Sequence, residues 1–184
     1  AQHAREAGYA LPSSLLTQAI GLDSPAVKKL FTAALGTTFP YDTIRARRLE
    51  LARERVRTGG IPVKPGVHRL FEAIESAGLT AALATSTSRS RVETYLTDTG
   101  LSTRFSVVVC GNDIARNKPA PDIYLRVLQL CGRTPDECLV VEDSDTGIEA
   151  AARAGIPTVF IPDIKPPTSA AAALMVGRLE NLWQ

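Results

Sequence analysis

The sequence predicts an α/β protein: a parallel sheet with helices on both faces, preceded by a small all-helical segment. Three observations predict it. After residue 61, apolar runs of strand length alternate with helical segments, the pattern that builds a parallel sheet. Those runs lack polar alternation, as strands buried on both faces do. Before that point the pattern is helical throughout. The expected division is therefore a helical domain over 1–61 and an α/β domain over 62–184.

Each element has a local reason. The run Ala1 to Gly8 reads as the end of a helix, stopped by its glycine. Pro12, Ser13 and Ser14 open a second short helix ending at Gly21. Asp23 or Ser24 caps a third, with Pro25 in its first turn and its end near Gly36. Asp42 to Thr58 is amphipathic, with Ile44, Leu49, Leu51 and Val56 set among arginines, and ends at Gly59-Gly60. Two prolines and a glycine make 61–66 a linker. Beyond it the sequence predicts a helix over Val67 to Ala77, a strand over Leu79 to Ala84 and a helix over Ser88 to Asp98. A strand follows over Phe105 to Cys110, then a helix over Pro121 to Cys131 and a strand over Cys138 to Val141. Last come a helix over Asp145 to Ala154 closed by Gly155, a strand over Thr158 to Ile161 and a helical segment over Ala170 to Ala173.

Composition narrows the function classes. The 184 residues are 45% hydrophobic and 22% charged, which fits one globular domain or a domain with a smaller insert. Aromatics are scarce at 5%, so the core is expected to be Ala, Leu, Val and Ile. The 21 basic and 19 acidic residues give a net charge of +2 and no nucleic-acid footprint. No apolar run reaches the roughly 20 residues of a membrane span. Cys110, Cys131 and Cys138 form no CxxC pair and are odd in number, which reads as reduced thiols of a cytoplasmic protein. The first residues show no signal-peptide pattern. Because the first residue is Ala1 and the only methionine is Met175, the sequence is expected to start downstream of a translation start.

Ligands of a parallel sheet bind off the carboxyl ends of its strands. Thr85-Ser86-Thr87-Ser88-Arg89 follows the first strand there. Gly111-Asn112-Asp113 and then Asn117-Lys118-Pro119 follow the second, and Glu142-Asp143-Ser144-Asp145-Thr146-Gly147 the third. A hydroxyl at a strand end, followed by free backbone N–H groups, can cradle an oxyanion; taken alone, the segment reads first as a polar strand-to-helix turn with Ser86 or Ser88 as the helix cap. Lys118, restricted by the following proline, suits a fixed point charge aimed at phosphate. Neighbouring carboxylates repel unless a cation sits between them, and hard oxygen ligands suit Mg²⁺; Asp143 or Ser144 could also simply cap the next helix.

The order hydroxyl, lysine, acidic pair, each after a successive strand, resembles the haloacid dehalogenase superfamily of phosphotransferases. Leu83-Ala84-Thr85-Ser86 looks like its second motif, Lys118-Pro119-Ala120-Pro121-Asp122 like its third, and Val140-Val141-Glu142-Asp143-Ser144-Asp145-Thr146-Gly147 like its fourth. The linker is similar to the family's return from a helical cap into a Rossmann-like core. The resemblance is closest to the phosphatase and β-phosphoglucomutase-like branch. It implies that Thr85 and Lys118 are catalytic, that Thr85, Ser86 and Lys118 bind the phosphoryl group, and that Glu142 and Asp143 hold Mg²⁺. Receiver domains use similar residues, but there the acidic pair comes first. Dehalogenases of the superfamily lack the Glu-Asp pair, so phosphate chemistry is expected rather than halide chemistry.

The family's first motif, Asp-x-Asp after a central strand, has no counterpart in this sequence. Asp23 and Asp42 stand alone in helical segments, and Asp143 and Asp145 belong to the fourth motif. The first strand, the Asp-x-Asp loop and the start of the cap are therefore expected to precede Ala1. Without them an open slot is expected between the strands at Leu79 to Ala84 and Cys138 to Val141. The implied parent activity is Mg²⁺-dependent hydrolysis of a small phosphorylated metabolite through an aspartyl-phosphate, in a cytoplasmic monomer with no nucleic-acid or membrane partner. The chain as given is expected to be inactive. The alternatives are a phosphomutase, discriminated by the loop at Gly21-Leu22-Asp23, and a non-catalytic binding protein. His3 and His68 read as surface or packing residues. Arg45, Arg47, Arg48, Arg53, Arg55 and Arg57 read as a solvated helix face, with steering of substrate phosphate the lesser alternative.

Overall fold

The computed structural model describes residues 4, 8–19, 24–163 and 166–180. The chain divides into two compact units, Ala1–Gly60 and Ile61–Gln184. The expected loop at Gly21-Leu22-Asp23, the alternative cap Asp23 and His3 lie outside the described residues, as does most of the first expected helix.

The first unit contains α1 (Ser13–Gln18), α2 (Ser24–Leu35) and α3 (Tyr41–Gly59). Its core is Ala4, Leu15, Phe31 and Phe39, with Tyr9, Leu11 and Tyr41 against it. Tyr9 stands edge-on to Phe39 with ring centroids 5.0 Å apart, and Phe31 lies 5.8 Å from the same ring. This corrects the expected aliphatic core: in this unit the scarce aromatics are concentrated in one place, because short helices supply few inward positions and large rings fill them. Helix α3 has no fully buried residue. Arg47 pairs with Glu50, Arg57 pairs with Glu54, and all four side chains are exposed, as a solvated arginine face requires.

The second unit alternates as the pattern predicts. Its elements are α4 (Val67–Ser76), β1 (Ala82–Thr85), α5 (Arg89–Asp98), β2 (Val107–Cys110), α6 (Asp122–Cys131), a 3-10 turn (Pro135–Glu137), β3 (Val140–Glu142), α7 (Asp145–Arg153), β4 (Thr158–Phe160), α8 (Ser169–Ala172) and β5 (Gly177–Arg178). The first strand starts later than predicted because Leu79 N donates to Ile74 O at 2.9 Å and is spent on stopping α4. Gly78, at φ +64°, makes that turn. Cys138 closes the 3-10 turn, so β3 starts at Val140. β5 is two residues long with no apolar run, which is why the sequence did not announce it.

All strand pairs are parallel, and they form two sheets, β1-β2 and β3-β4-β5. No ladder joins β1 to β3. One core nevertheless serves both: Val109, Ile123, Tyr124, Leu128, Ala150, Ala151, Ala154 and Ile156, with Ala84, Val107 and Val140 packed on it. Helices α6 and α7 therefore hold the two sheets together through that core. Val141 and Leu139 beside the unpaired edge of β3 are 51% and 60% exposed, which is unusual for residues of a parallel strand. The three cysteines are free thiols, and no helix among the described residues is long and apolar enough to cross a membrane.

Candidate functional site

Parallel strands bring Thr85, Cys110, Glu142 and Phe160 to one edge. Thr85 ends β1, and its Oγ1 accepts from Thr87 N at 3.2 Å, folding the loop back on the strand end. Ser86 is exposed on that loop. Its carbonyl lies so close to Gly111 that a Cβ there would overlap it, so Gly111 lets the loops after β1 and β2 meet. Gly111 N also donates to Thr87 O at 3.0 Å.

The expected cap of α5 by Ser86 or Ser88 is corrected. Ser88 occupies the cap position without a side-chain cap bond. Asn112 does the work across the edge, accepting from Arg89 N at 2.9 Å. Arg89 in turn donates to Val108 O and to Asp113. Hydrogen bonds from Arg89 and Cys110 N hold the Asp113 carboxyl below the usual carboxylate range. A loop residue distant in sequence has displaced the local cap.

Lys118 enters from the loop before α6. Its ammonium donates to Ala84 O of β1 at 3.3 Å, to the Tyr124 hydroxyl at 3.1 Å and to Glu142 Oε1 of β3. It thereby bridges the ends of the two sheets. The Lys118 and Glu142 side chains are 9% and 7% exposed. Tyr124, 5% exposed, donates to the same Oε1 at 3.0 Å. Glu142 Oε2 accepts from Asp143 N at 2.9 Å, Ser144 N at 3.1 Å and Ser144 Oγ at 2.9 Å. Ser144 Oγ also accepts from Gly147 N at 3.1 Å and caps α7. Of the two cap candidates, Ser144 is the one used. Glu142 is thus tucked under a helix N-terminus, where partial positive charge favours a carboxylate.

The electrostatics follow. Burial pushes Glu142 up, but the Lys118 charge and the bonds from Lys118, Asp143 N and Ser144 outweigh it and hold the carboxyl low. Burial, then the Glu142 charge, pushes the Tyr124 phenol up, so it stays a donor. Asp143 is the opposite case: desolvation, then the negative charges of Glu142 and Asp163, push its carboxyl up. Asp163 follows β4 and pairs with Lys64. Asp145 starts α7 but accepts from Thr168 N at 3.0 Å, tying down the start of α8 rather than acting only at its own helix.

Asp143 fits a divalent cation, since a positive charge would relieve the two acids crowding it. Glu142 fits it less well: five protein donors already reach a carboxylate with about four lone-pair sites. Among the described residues no group of three or more acids, histidines or cysteines forms a metal site.

The sequence reading named Lys118 and Glu142, which meet, and Asp143, which lies beside Glu142. Thr85 follows the carbonyl that Lys118 touches. Tyr124, Ser144 as a donor to Glu142, and the Lys64–Asp163 pair were not expected from the sequence. Tyr124 carried one signal, a polar tip on the apolar face of α6. The Lys64 and Asp163 partners are 99 residues apart and carried none.

The model for the haloacid dehalogenase-like hydrolase family matches residues 6–161. The chain belongs to this family. As a haloacid dehalogenase-like hydrolase it is 39% identical to the plasmid protein CbbY of Cupriavidus necator over 66% of this chain and 49% of that protein. It is 35% identical to a phosphorylated carbohydrates phosphatase of Thermotoga maritima over 62% of this chain and 53% of that one. The chain spans about half the length of these curated relatives. A Thermotoga maritima crystal structure provisionally named a beta-phosphoglucomutase superposes with a TM-score of 0.75 at 26% identity, covering 97% of this chain and 83% of that one. Within the haloacid dehalogenase-like hydrolases, the chain is thus similar to both phosphatase and beta-phosphoglucomutase-like relatives.

Proposed function

We propose that the parent protein is a Mg²⁺-dependent phosphohydrolase acting on a small phosphate monoester, and that residues 62–184 are its catalytic core and 1–61 part of a helical cap. The observation that carries this reading is the Lys118 ammonium, held at the carboxyl edge between the ends of β1 and β3. A compact cation at the carbonyl that precedes Thr85 suits a transferring phosphoryl group. The sugar-phosphate class is supported by the name of the Thermotoga maritima phosphatase relative.

The roles follow from chemistry. Thr85 and Ser86 bind phosphoryl oxygens, and Lys118 neutralises charge that builds as the group transfers. Asp143, beside Glu142, would hold Mg²⁺, which when bound polarises the phosphoryl group. Glu142 keeps Lys118 in place. None of these acids is set up as a nucleophile: Glu142 is saturated with donors, Asp143 serves the cation, and Asp163 is paired with Lys64. The attacking carboxylate is an Asp from outside this chain. It forms an aspartyl-phosphate, the alcohol leaves with a proton from a general acid, and water then releases phosphate.

A phosphomutase is the second reading, favoured by the 26% identity to the Thermotoga maritima structure. The test is an assay of the parent protein, with its upstream sequence, on p-nitrophenyl phosphate and a panel of sugar phosphates with Mg²⁺. Phosphate release abolished by Lys118→Ala is the expected result. Phosphate appearing on a second hydroxyl of the sugar means a mutase. Phosphate binding without turnover means a binding protein. The 184-residue chain alone is expected to release no phosphate; release that vanishes in Asp143→Ala would place the nucleophile within it.

A further inference from the structure

We propose that Tyr124 is a positioning residue: its hydroxyl fixes the direction of the Lys118 ammonium, so that the Ala84 carbonyl is the one contact an incoming phosphoryl oxygen replaces. The inference rests on the phosphohydrolase reading for its ligand, but not for its geometry.

An ammonium has three N–H donors, and all three are spent, on Ala84 O, Tyr124 and Glu142. A phosphate cannot be met until one is released. Releasing Glu142 would strand a carboxylate that is 7% exposed, the costliest of the three choices. Releasing Tyr124 is blocked by its packing. The ring is 5% exposed in the core that holds Val109, Ile123 and Leu128, and it carries the ammonium 4.9 Å from its centroid. Its proton goes to Glu142 Oε1, which leaves a lone pair facing Lys118. Lysine, glutamate and tyrosine thus close a triangle in which the phenol donates to one partner and accepts from the other. The bond to Ala84 O is the longest, at 3.3 Å, and its acceptor is neutral. Exchange of that carbonyl for an anionic oxygen strengthens the contact without breaking the triangle.

Phenylalanine at this position keeps the ring and removes the hydroxyl. The ammonium then has one acceptor fewer and Glu142 one donor fewer. A packing role alone predicts no effect of that change on Lys118.

The experiment is nitrogen-15 NMR of the lysine ammonium signals of the 184-residue chain, with Lys118 assigned by loss of its signal in Lys118→Gln. Expected in the wild type are a slowly exchanging Lys118 signal and a nuclear Overhauser contact from it to the Tyr124 hydroxyl proton. In Tyr124→Phe, solvent exchange of that signal should rise roughly tenfold, the loss of about one hydrogen bond, with the sheet amides unmoved. Inorganic phosphate should shift the wild-type signal and leave the Tyr124 contact intact. Unchanged exchange in Tyr124→Phe, or loss of the contact when phosphate binds, overturns the proposal. If Tyr124→Phe does not fold, absence of the wild-type contact overturns it alone. Phosphate that leaves Lys118 unshifted overturns the exchange at the Ala84 carbonyl together with the phosphohydrolase reading, while the solvent-exchange rate still decides whether Tyr124 positions Lys118.

Discussion

Gly147 in the first turn of α7 lies directly against the carboxylate of Glu142, so close that a Cβ at that position would overlap the carboxyl carbon and both oxygens. The helix can pass over the acid, and its N-terminal N–H groups can face it, only because residue 147 has no side chain. Gly147→Ala should push Glu142 off its donors and cost about 1–3 kcal/mol, the range for overfilling a packed site. Gly59→Ala, at the end of α3 with nothing within 4 Å, is the control. It should be neutral or stabilising by up to about 1 kcal/mol. Urea unfolding of both variants separates the two cases.

Lys118 carries structure as well as chemistry. Lys118→Ala leaves the buried Glu142 charge without its ammonium partner, which costs about 3–5 kcal/mol. Lys118→Met with Glu142→Gln should recover part of that loss, because the charge to be compensated is gone. A double-mutant cycle by thermal unfolding measures the coupling; additive losses would mean the two side chains stand independently. In the parent enzyme both variants should still lose turnover by roughly 10² or more.

Asp143 and Glu142 predict opposite pH dependences. The Glu142 carboxyl is held low, so its contribution is present above its unfolded value and lost as pH falls through the folded one. The Asp143 carboxyl is raised, so the folded chain binds more protons there than the unfolded chain, and stability falls as pH rises through that window. Asp143→Asn should therefore raise Tm at neutral pH and lose its advantage near pH 3. The gain should stay below about 1 kcal/mol, since the residue is partly solvated.

Mg²⁺ should relieve the same repulsion. Calorimetry should detect weak Mg²⁺ binding to this chain, abolished in Asp143→Ala. Equal affinity in that variant would remove Asp143 from the metal site.

The edges of β1 and β3 carry backbone groups outside any ladder, beside exposed Val141 and Leu139. An added peptide with an apolar strand followed by Asp-x-Asp should pair there, raise Tm in proportion to its concentration, and slow amide exchange at Ala84 and Val141. A peptide with the same residues scrambled should do neither. Protection confined to other strands would mean that the slot is not the docking place.

Much of this protein was legible in its sequence. The alternation of apolar runs and helical segments after residue 61 determined a parallel sheet, since both features are local and periodic. The lysine before Pro119 and the acid at the end of the third run were legible because residue type and position at a strand end already state their chemistry. Local competition blurred the strand starts: Leu79 is apolar enough for a strand, yet its N–H is taken by the stop of α4. The tertiary structure alone decided the rest. It made Asn112 rather than Ser88 serve α5, seated Tyr124 between Lys118 and Glu142, and turned Glu142 toward five protein donors while leaving Asp143 crowded by acids. Hydrogen bonds form between atoms a few ångströms apart in space, and sequence distance carries no record of that until the sheets and helices have packed.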